Sequence, residues 1–357
     1  MSPPVFLTGA TGFLGMEVLA LVRAGDRAGA EERLDGVLAK LWRDPSPYRD
    51  RVQAVAGDLT RPGLGIEGPE RTGLAEGIGA VLHCAASITF DMPLEDARQV
   101  NVEGTREVIG FAREAKALGR LERFLHVSTA YVAGQHRGVF RERQLNAGQG
   151  FRNTYERTKW EAEHVIAGAS DLQPAVARPS IVMGDSRSGW TPAFNVLYWP
   201  LRAFARGLFD VVPAMPDGRV DVVPVDYVAA ALVHLLDRPD QGVFNLVAGG
   251  NAVTVDELAD LATSRFDRPR PPFVQPGSLE GDAAGEHGAV FLPYFDIEVT
   301  FDDTRARSVL GPAGIRAPRL NEYFDRLIDY AEAVRWGKRA LTRDEAREQF
   351  AEAAAAA

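Results

Sequence analysis

Short apolar runs alternate with longer helical patterns through the first 250 residues, and this alternation strongly constrains the fold. Several of the runs lack the alternation of a half-exposed antiparallel strand, which indicates burial on both faces of a parallel sheet. The sequence therefore predicts an α/β fold, a doubly wound parallel sheet that binds ligands at the carboxyl ends of its strands. The predicted strands are Val5–Thr8, Val52–Ala56, Ala80–Cys84, Phe124–Ser128, Ala175–Ala177 and Val243–Val247. The predicted helices are Leu94–Leu118, Asn153–Ala169 and Val225–Leu236.

The pattern changes after about Gly249, and this predicts a second, smaller unit. We expect a main α/β domain at residues 1–250 and a small C-terminal substrate-binding cap. The cap would combine an insertion at about 185–224 with residues 251–340, including predicted helices at Thr254–Arg265 and Leu320–Val334. The tail, Leu341–Ala357, has helix-forming composition but little to bury, so we predict that it frays.

Charge and composition exclude several classes of protein. The net charge of −9, without a cluster of five or more basic residues, argues against nucleic acid as the main partner. Cys84 is the single cysteine, which excludes an intrachain disulfide and suits a reducing compartment. The start of the chain lacks the basic region of a signal peptide, and the apolar stretch Ala193–Val212 contains two arginines and a proline. We therefore expect a cytoplasmic protein without a membrane span.

A glycine-rich turn follows the first predicted strand directly. Gly9, Gly12 and Gly15 have the spacing GxxGxxG ahead of a helical pattern. Such glycines allow a tight turn, close backbone approach to a pyrophosphate, and close packing of helix on strand. A dinucleotide site is therefore predicted here, and a tight turn without a ligand is the alternative.

Tyr155 and Lys159 lie one helical turn apart, on one face of a predicted helix. A free tyrosine is a poor proton donor at neutral pH, and a nearby cation lowers its pKa by stabilising the phenolate. The alternative is a surface pair of little energetic value. Ser128 and Thr129 end the strand before this helix, and either hydroxyl could donate to a developing oxyanion.

In combination, these elements resemble the extended short-chain dehydrogenase/reductases, and most closely their fatty acyl-CoA reductase and thioester reductase branch. The resemblance is broad to about residue 250 and looser beyond. It implies a Rossmann-type NAD(P)-binding fold and an NAD(P)H-dependent oxidoreductase. It is carried by Thr8–Gly15, His83–Ser87, Asn101–Thr105, Val127–Tyr131, Tyr155–Lys159, Arg178–Ile181 and Asp221–Asp226.

The resemblance also implies a role for each site residue, with no metal among them. It selects Thr129 over Ser128, because the family's hydroxyl residue lies five positions before a loop glycine, here Gly134. The catalytic residues would be Thr129, Tyr155 and Lys159, and Lys159 would also hold the nicotinamide ribose. The cofactor-binding residues would be Gly9, Thr11, Gly12, Phe13, Leu14, Gly15, Arg23, Asp58, Leu59, Ala85, Ala86, Tyr155, Lys159, Pro179, Ser180 and Ile181.

Arg23 matches the arginine that family members use for the 2′-phosphate of NADP, so NADPH is the expected cofactor and NADH the alternative. The chain departs from the family pattern in the segment between the glycine turn and Arg23. Only the six residues Met16 to Leu21 separate Gly15 from Val22, whereas a parallel crossover normally needs about a dozen. Either Phe13–Ala24 is all helix and the second strand is lost, or a one-turn helix leads to a displaced strand.

The predicted reaction is reduction of an acyl thioester, on coenzyme A or a carrier protein, to an aldehyde and then in a further step to an alcohol. One alternative is the same chemistry on a 3β-hydroxysteroid or a nucleotide sugar. Another is a dinucleotide-binding protein without catalysis. The apolar stretch Ala193–Phe209 would line an acyl channel, contact a membrane surface peripherally, or form core between sheet and cap. Homodimers are common in this fold family, but the residues carry no independent signal for one.

Overall fold

The computed structural model describes residues 4–9, 21–119, 121–194, 196–208, 211–275, 294 and 298–351. Within these ranges seven parallel strands form a central sheet in the order β7-β6-β5-β4-β1-β2-β3. The strands are β1 (Val5–Thr8), β2 (Leu21–Arg23), β3 (Val55–Gly57), β4 (Ala80–His83), β5 (Arg123–Val127), β6 (Ala175–Pro179) and β7 (Gly242–Leu246). The predicted doubly wound parallel sheet is confirmed.

Helices connect the strands and continue beyond the sheet. They are α1 (Arg27–Leu41), α2 (Ser46–Arg49), α3 (Gly68–Gly77), α4 (Leu94–Arg98), α5 (Gly104–Ala117), α6 (Thr154–Ala167), α7 (Tyr198–Ala205), α8 (Val225–Leu236), α9 (Val255–Phe266), α10 (Thr304–Leu310), α11 (Phe324–Ala333) and α12 (Arg343–Ala351). A π-helical turn, Gln99–Glu103, joins α4 to α5, so the predicted helix Leu94–Leu118 is present with one irregular turn.

Short elements complete the chain. Two- and three-residue strands are Gly138–Phe140, Ile181–Met183, Val212–Pro213, Arg219–Val220, Val222–Pro224, Val253–Thr254, Phe273–Val274 and Val299–Phe301, which pair with one another outside the central sheet. The 3₁₀ turns are Pro62–Gly65, Ala130–Ala133, Ser170–Leu172, Gly249–Asn251, Gly311–Ala313 and Leu320–Glu322.

Both faces of the sheet are buried, as the continuous apolar strands predict. Neighbouring strand residues point to opposite faces, so Phe6 joins the cluster under α3 and α5 whereas Leu7 joins the cluster under α8. The strand order reverses between β1 and β4, and parallel sheets open a crevice at the carboxyl ends of such strands. The candidate site lies at this crevice.

The second strand is retained despite the short crossover. Leu21 pairs with Thr8, the last residue of β1, and Leu21–Arg23 pair with Val55–Gly57 of β3. Thus β2 is displaced toward the carboxyl end of the sheet, and the alternative that loses this strand is wrong. The crossover itself, residues 10–20, lies outside the described residues.

The apolar stretch before and within α7 contributes core. Leu197, Tyr198, Leu201 and Phe204 are buried in a cluster that includes Leu327 of α11, so these four side chains do not line an open channel. The division of the chain into main domain and cap stays a prediction. In the part of the chain that the structure describes, no helix is long and apolar enough to cross a membrane.

The prediction of a frayed tail is wrong for residues 343–351. They form α12, in which Ala346 is fully buried. The Trp190 indole donates to the Leu341 carbonyl at 3.2 Å, and Arg347 pairs with the buried Asp185. The sequence pattern did not reveal these contacts, because the apolar surface that buries α12 comes from distant segments. Residues 352–357 lie outside the described residues.

Candidate active site

Gly9 directly follows β1, at the point where the chain must pass close to the loop after β4. Its φ is +83°, and a Cβ added there would lie 2.7 Å from the Ala85 backbone nitrogen. Such a contact is closer than any side chain tolerates, so this position requires glycine. The two strand ends therefore meet backbone to backbone.

A buried hydrogen-bond chain holds this junction. The Ala85 N–H donates to Thr8 Oγ1 at 3.2 Å, and Thr8 Oγ1 lies 2.7 Å from His83 Nδ1. His83 Nε2 lies 3.0 Å from Thr105 Oγ1, which itself donates to the Asn101 carbonyl at 2.7 Å. The chain is consistent if His83 is neutral and carries its proton on Nε2. Burial lowers the pKa of His83 to about 3, which keeps the ring neutral.

The remaining predicted cofactor residues at the glycine turn, Thr11, Gly12, Phe13, Leu14 and Gly15, lie outside the described residues. Ala86 follows Ala85 in the described loop and is half-buried.

Arg23 and Asp58 come together at the carboxyl ends of β2 and β3, with 3.4 Å between Nε and Oδ2. The side chain of Arg23 remains 71% exposed, so its guanidinium is accessible to a ligand. Asp58 also accepts from the Thr60 backbone and hydroxyl. Despite partial burial, these hydrogen bonds and the Arg23 guanidinium lower the pKa of Asp58. Leu59 packs against Gly104 at the start of α5. A Cβ added at Gly104 would lie only 3.0 Å from the Leu59 Cβ.

Tyr155 lies in the first turn of α6, after the helix cap formed by Asn153. Its phenol is buried and lies near enough to Thr129 for that side chain to influence its pKa. Burial is the largest influence on Tyr155 and raises its pKa to about 12, while the Thr129 side chain acts in the opposite direction. The sequence predicts a pKa lowered by Lys159, whereas desolvation of the phenol raises it in the structure.

Thr129, not Ser128, is the hydroxyl residue beside Tyr155. The Thr129 hydroxyl also lies 3.4 Å from the Pro179 carbonyl and accepts from the Tyr131 backbone. Ser128 Oγ is buried and has no hydrogen-bond partner among the described residues. Adjacent side chains at a strand end point in opposite directions, which explains why only one hydroxyl reaches Tyr155.

Lys159 lies on the same face of α6 but points into the protein, where it is 2% exposed. Its ammonium donates to the Val127 carbonyl at 2.9 Å and lies 3.3 Å from His126 Nε2. Burial lowers the pKa of Lys159 to about 8, against the opposing influence of Glu163 and Cys84. A lysine with such a pKa can exchange a proton near neutral pH.

Pro179 ends β6, and the chain then crosses to the next pair of strands. The Ser180 N–H donates to the Leu246 carbonyl at 3.2 Å, and the Ile181 N–H donates to the Asp221 carbonyl at 3.2 Å. These bonds hold the segment predicted to contact the nicotinamide. The Thr129 hydroxyl donates to the Pro179 carbonyl and so connects this segment to the surroundings of Tyr155.

Sequence reasoning assigned no role to several polar side chains around this site. Asn101 binds both backbone groups of Ser87, at 2.7 and 3.1 Å, and so fixes the loop after β4. His83 and His126 surround Lys159, and Glu163 pairs with Arg178 beneath it. A polar side chain inside an otherwise apolar strand, as in Phe124–Val127, is the signal that could have identified the histidines.

The family comparison agrees with this geometry. The family model described as male sterility protein, an NAD-binding family, matches residues 7–232. The chain belongs to this family. The predicted resemblance is thereby confirmed.

Curated proteins similar to this chain are named as fatty acyl-CoA reductases or as a nonribosomal peptide synthetase. Fatty acyl-CoA reductase 1 of Pongo abelii is 31% identical over 299 residues, which cover 69% of this chain and 58% of the relative. The fatty acyl-CoA reductase wat of Drosophila melanogaster is 30% identical over 276 residues, covering 64% and 53%. The chain thus spans little more than half the length of these relatives.

Solved structures of similar proteins include reductase domains. The terminal R domain of the myxalamid biosynthetic pathway has a TM-score of 0.81 and 26% identity, covering 96% of this chain and 93% of that domain. The reductase domain of a nonribosomal peptide synthetase from Mycobacterium tuberculosis has a TM-score of 0.69 at 20% identity, covering 95% and 94%, and shows the same fold.

Proposed function

We propose that this protein is an NADPH-dependent reductase that converts an acyl thioester into an aldehyde and a free thiol. The observation that carries the proposal is that the Thr129 side chain acts on the buried Tyr155 phenol, one helical turn from the buried Lys159. Two hydroxyls directed at one point can hold a carbonyl oxygen, and one of them can donate a proton to it. Relatives named as fatty acyl-CoA reductases support the thioester as substrate.

The residues present fit a dinucleotide. Gly9 lets the chain after β1 pass against the Ala85 backbone, where a Cβ would collide, and a glycine there also permits the tight turn that a pyrophosphate-binding loop needs. At the other end of the crevice Arg23 is exposed beside Asp58, in the place where a guanidinium can bind a 2′-phosphate. Between them Ala85 and Ala86 would contact the ribose and phosphates, and Pro179 to Ile181 the nicotinamide. When bound, the reduced nicotinamide supplies the hydride.

The protein's own residues would then handle the oxygen and its proton. The hydroxyls of Thr129 and Tyr155 hydrogen-bond to the carbonyl oxygen of the thioester as negative charge develops there. Hydride addition breaks the carbonyl π bond, and Tyr155 donates its proton to the oxygen to give a hemithioacetal. The hemithioacetal hydroxyl then loses its proton as the carbon–sulfur bond breaks, and this proton goes to the sulfur, which gives the aldehyde and a free thiol. Lys159 would return a proton to Tyr155.

The test is to incubate the purified protein with NADPH or NADH and a long-chain acyl-CoA. Cofactor oxidation is followed by absorbance, and the product is identified chromatographically. We expect aldehyde or alcohol, with the rate reduced at least about a hundredfold in Tyr155→Phe, because a proton donor contributes that much or more. Tyr48→Phe, in the distant α2, removes a hydroxyl of the same kind and is the matched control.

Other outcomes would overturn the proposal. Turnover of a 3β-hydroxysteroid or a nucleotide sugar, with none of the thioester, would assign the same residues to another carbonyl substrate. Cofactor binding without turnover of any of these substrates would favour a dinucleotide-binding protein without catalysis.

A further inference from the structure

A buried histidine, His126, contacts the side chain of the proposed catalytic lysine, Lys159. Lys159 Nζ lies 2.9 Å from the Val127 carbonyl and 3.3 Å from His126 Nε2, and both groups belong to β5. His126 is fully buried, and its Nδ1 has no partner among the residues that the structure describes. A buried imidazole in direct contact with the catalytic ammonium is not needed for packing, because an apolar side chain would fill the same space.

The protons in this contact can be assigned. An ammonium has three N–H donors and no acceptor. The hydrogen bond to Nε2 therefore requires His126 to be neutral with its proton on Nδ1. Burial and the neighbouring Lys159 both lower the pKa of His126, which keeps the ring neutral. With one N–H directed to the Val127 carbonyl and one to His126, a single N–H of Lys159 remains for a ligand.

We infer that His126 is a positioning residue, whose Nε2 accepts from Lys159 and orients the remaining N–H of the ammonium toward the cofactor crevice. The inference rests on the proposed function only in that Lys159 is taken to bind the cofactor. The hydrogen bond between His126 and Lys159 does not depend on that function. His126 acts through Lys159 and touches neither cofactor nor substrate. Loss of the acceptor would free the ammonium to rotate and would remove a partner that favours its charged form.

Other groups around Lys159 cannot replace this contact. Glu163 lies one turn further along α6 and engages Arg178 through both of its oxygens, at 2.8 and 2.6 Å. Cys84 and His83 face Lys159 from the end of β4, and burial raises the pKa of the Cys84 thiol to about 12. His83 is engaged by Thr8 and Thr105 through its two ring nitrogens. Lys159 is thus surrounded by neutral groups and one carboxylate that is already paired.

The first test reads Lys159 directly and needs no cofactor. The chain has four lysines, Lys40, Lys116, Lys159 and Lys338, so ¹³C labelling at Cε gives four NMR signals that single substitutions assign. We expect the titration midpoint of Lys159 to fall by about one pH unit in His126→Phe, as loss of a hydrogen bond to a charged group predicts. His126→Gln, whose side-chain oxygen can accept the same bond, should keep the midpoint near that of the wild type.

The matched control is His83→Gln, which alters a neighbouring buried imidazole that binds threonines instead of Lys159. It should leave the Lys159 midpoint in place whatever it does to stability. A midpoint unchanged in His126→Phe, or shifted equally by His83→Gln, would overturn the inference.

A second test uses the unaltered protein, in case His126→Phe does not fold. Long-range ¹H–¹⁵N correlation of the six histidines reports which ring nitrogen carries the proton. We expect the proton of His126 on Nδ1, and a proton on Nε2 would overturn the inference. NADPH affinity, measured by fluorescence titration, should also fall several-fold in His126→Phe and recover in His126→Gln. If the wild type binds no NADPH, the proposed function fails, while the two NMR results still decide the role of His126.

Discussion

Glu163 and Arg178 form a buried ion pair with two hydrogen bonds, 2.8 Å between Oε1 and Nε and 2.6 Å between Oε2 and Nη2. Glu163 belongs to α6, the helix of Tyr155 and Lys159, and Arg178 belongs to β6, whose end is predicted to contact the nicotinamide. The pair therefore ties the helix that carries the reactive residues to the strand that would carry part of the cofactor site.

Removing one member of this pair should destabilise the protein strongly. We expect Glu163→Gln to reduce the free energy of unfolding by about 3–5 kcal/mol, because the Arg178 charge is left buried and unpaired. Urea unfolding measures this loss. Arg113 and Asp171 are a matched pair with the same two-bonded geometry at 2.9 and 2.8 Å, but both are half exposed. Asp171→Asn should cost at most about 1 kcal/mol, and equal losses at the two sites would refute the argument.

The two adjacent hydroxyls at the end of β5 should differ sharply in their contribution to turnover. Thr129→Val removes the hydroxyl beside Tyr155 and should lower kcat by about a hundredfold or more, as loss of one oxyanion donor does. Ser128→Ala removes a buried hydroxyl without a partner among the described residues and should leave kcat within about twofold. Steady-state kinetics with the acyl thioester measures both. A larger effect of Ser128→Ala would reverse the assignment.

Gly9→Ala should disrupt the junction of β1 and β4. The new Cβ would lie 2.7 Å from the Ala85 nitrogen at a φ of +83°, so the strand ends must separate. We expect at least about tenfold weaker NADPH binding and a stability loss of about 1–3 kcal/mol. Gly110→Ala is the control, because nothing lies within 4 Å of a Cβ there and α5 should gain about 0.5–1 kcal/mol. Unaltered NADPH affinity in Gly9→Ala would remove the glycine turn from the cofactor site.

The buried Lys159 should make stability depend on pH. Its pKa is about 8 in the folded protein, below the reference value of 10.5. Between these values the unfolded chain binds more protons, so the contribution of Lys159 to stability rises with pH. The free energy of unfolding of the wild type, relative to Lys159→Met, should therefore increase by about 3 kcal/mol from pH 8 to 10.5. Denaturant unfolding at several pH values measures the difference, and a constant difference would mean that Lys159 is not desolvated.

The packing of α12 predicts that a charge on its buried face is costly. Ala346 is fully buried in a cluster with Trp190 and Tyr330, so Ala346→Glu should lower the free energy of unfolding by at least about 2 kcal/mol. Gln349 is exposed on the same helix, and Gln349→Glu adds the same charge there at a cost within about 0.5 kcal/mol. Equal behaviour of the two variants in thermal unfolding would show that α12 does not pack as described.

Local patterns in the sequence determined the architecture and the candidate site residues of this protein. The parallel sheet was predictable because both faces of its strands are apolar, and burial on both faces follows from that composition. Tyr155 and Lys159 were recognisable because their spacing alone places them on one side of a helix. Gly9 followed from its position directly after a strand. These features need only residues close together in the chain.

Only the tertiary structure decided which distant groups meet. His126 reaches Lys159 across 33 positions, and Glu163 reaches Arg178 across 15. Likewise, Leu341 is fixed by Trp190 across 151 positions, which is why a tail of polar composition is packed instead of frayed. The short crossover left the second strand open until its pairing with β1 and β3 was known. In each case the contact depends on a residue that is distant in the sequence. The periodicity of apolar residues along the chain does not identify that residue.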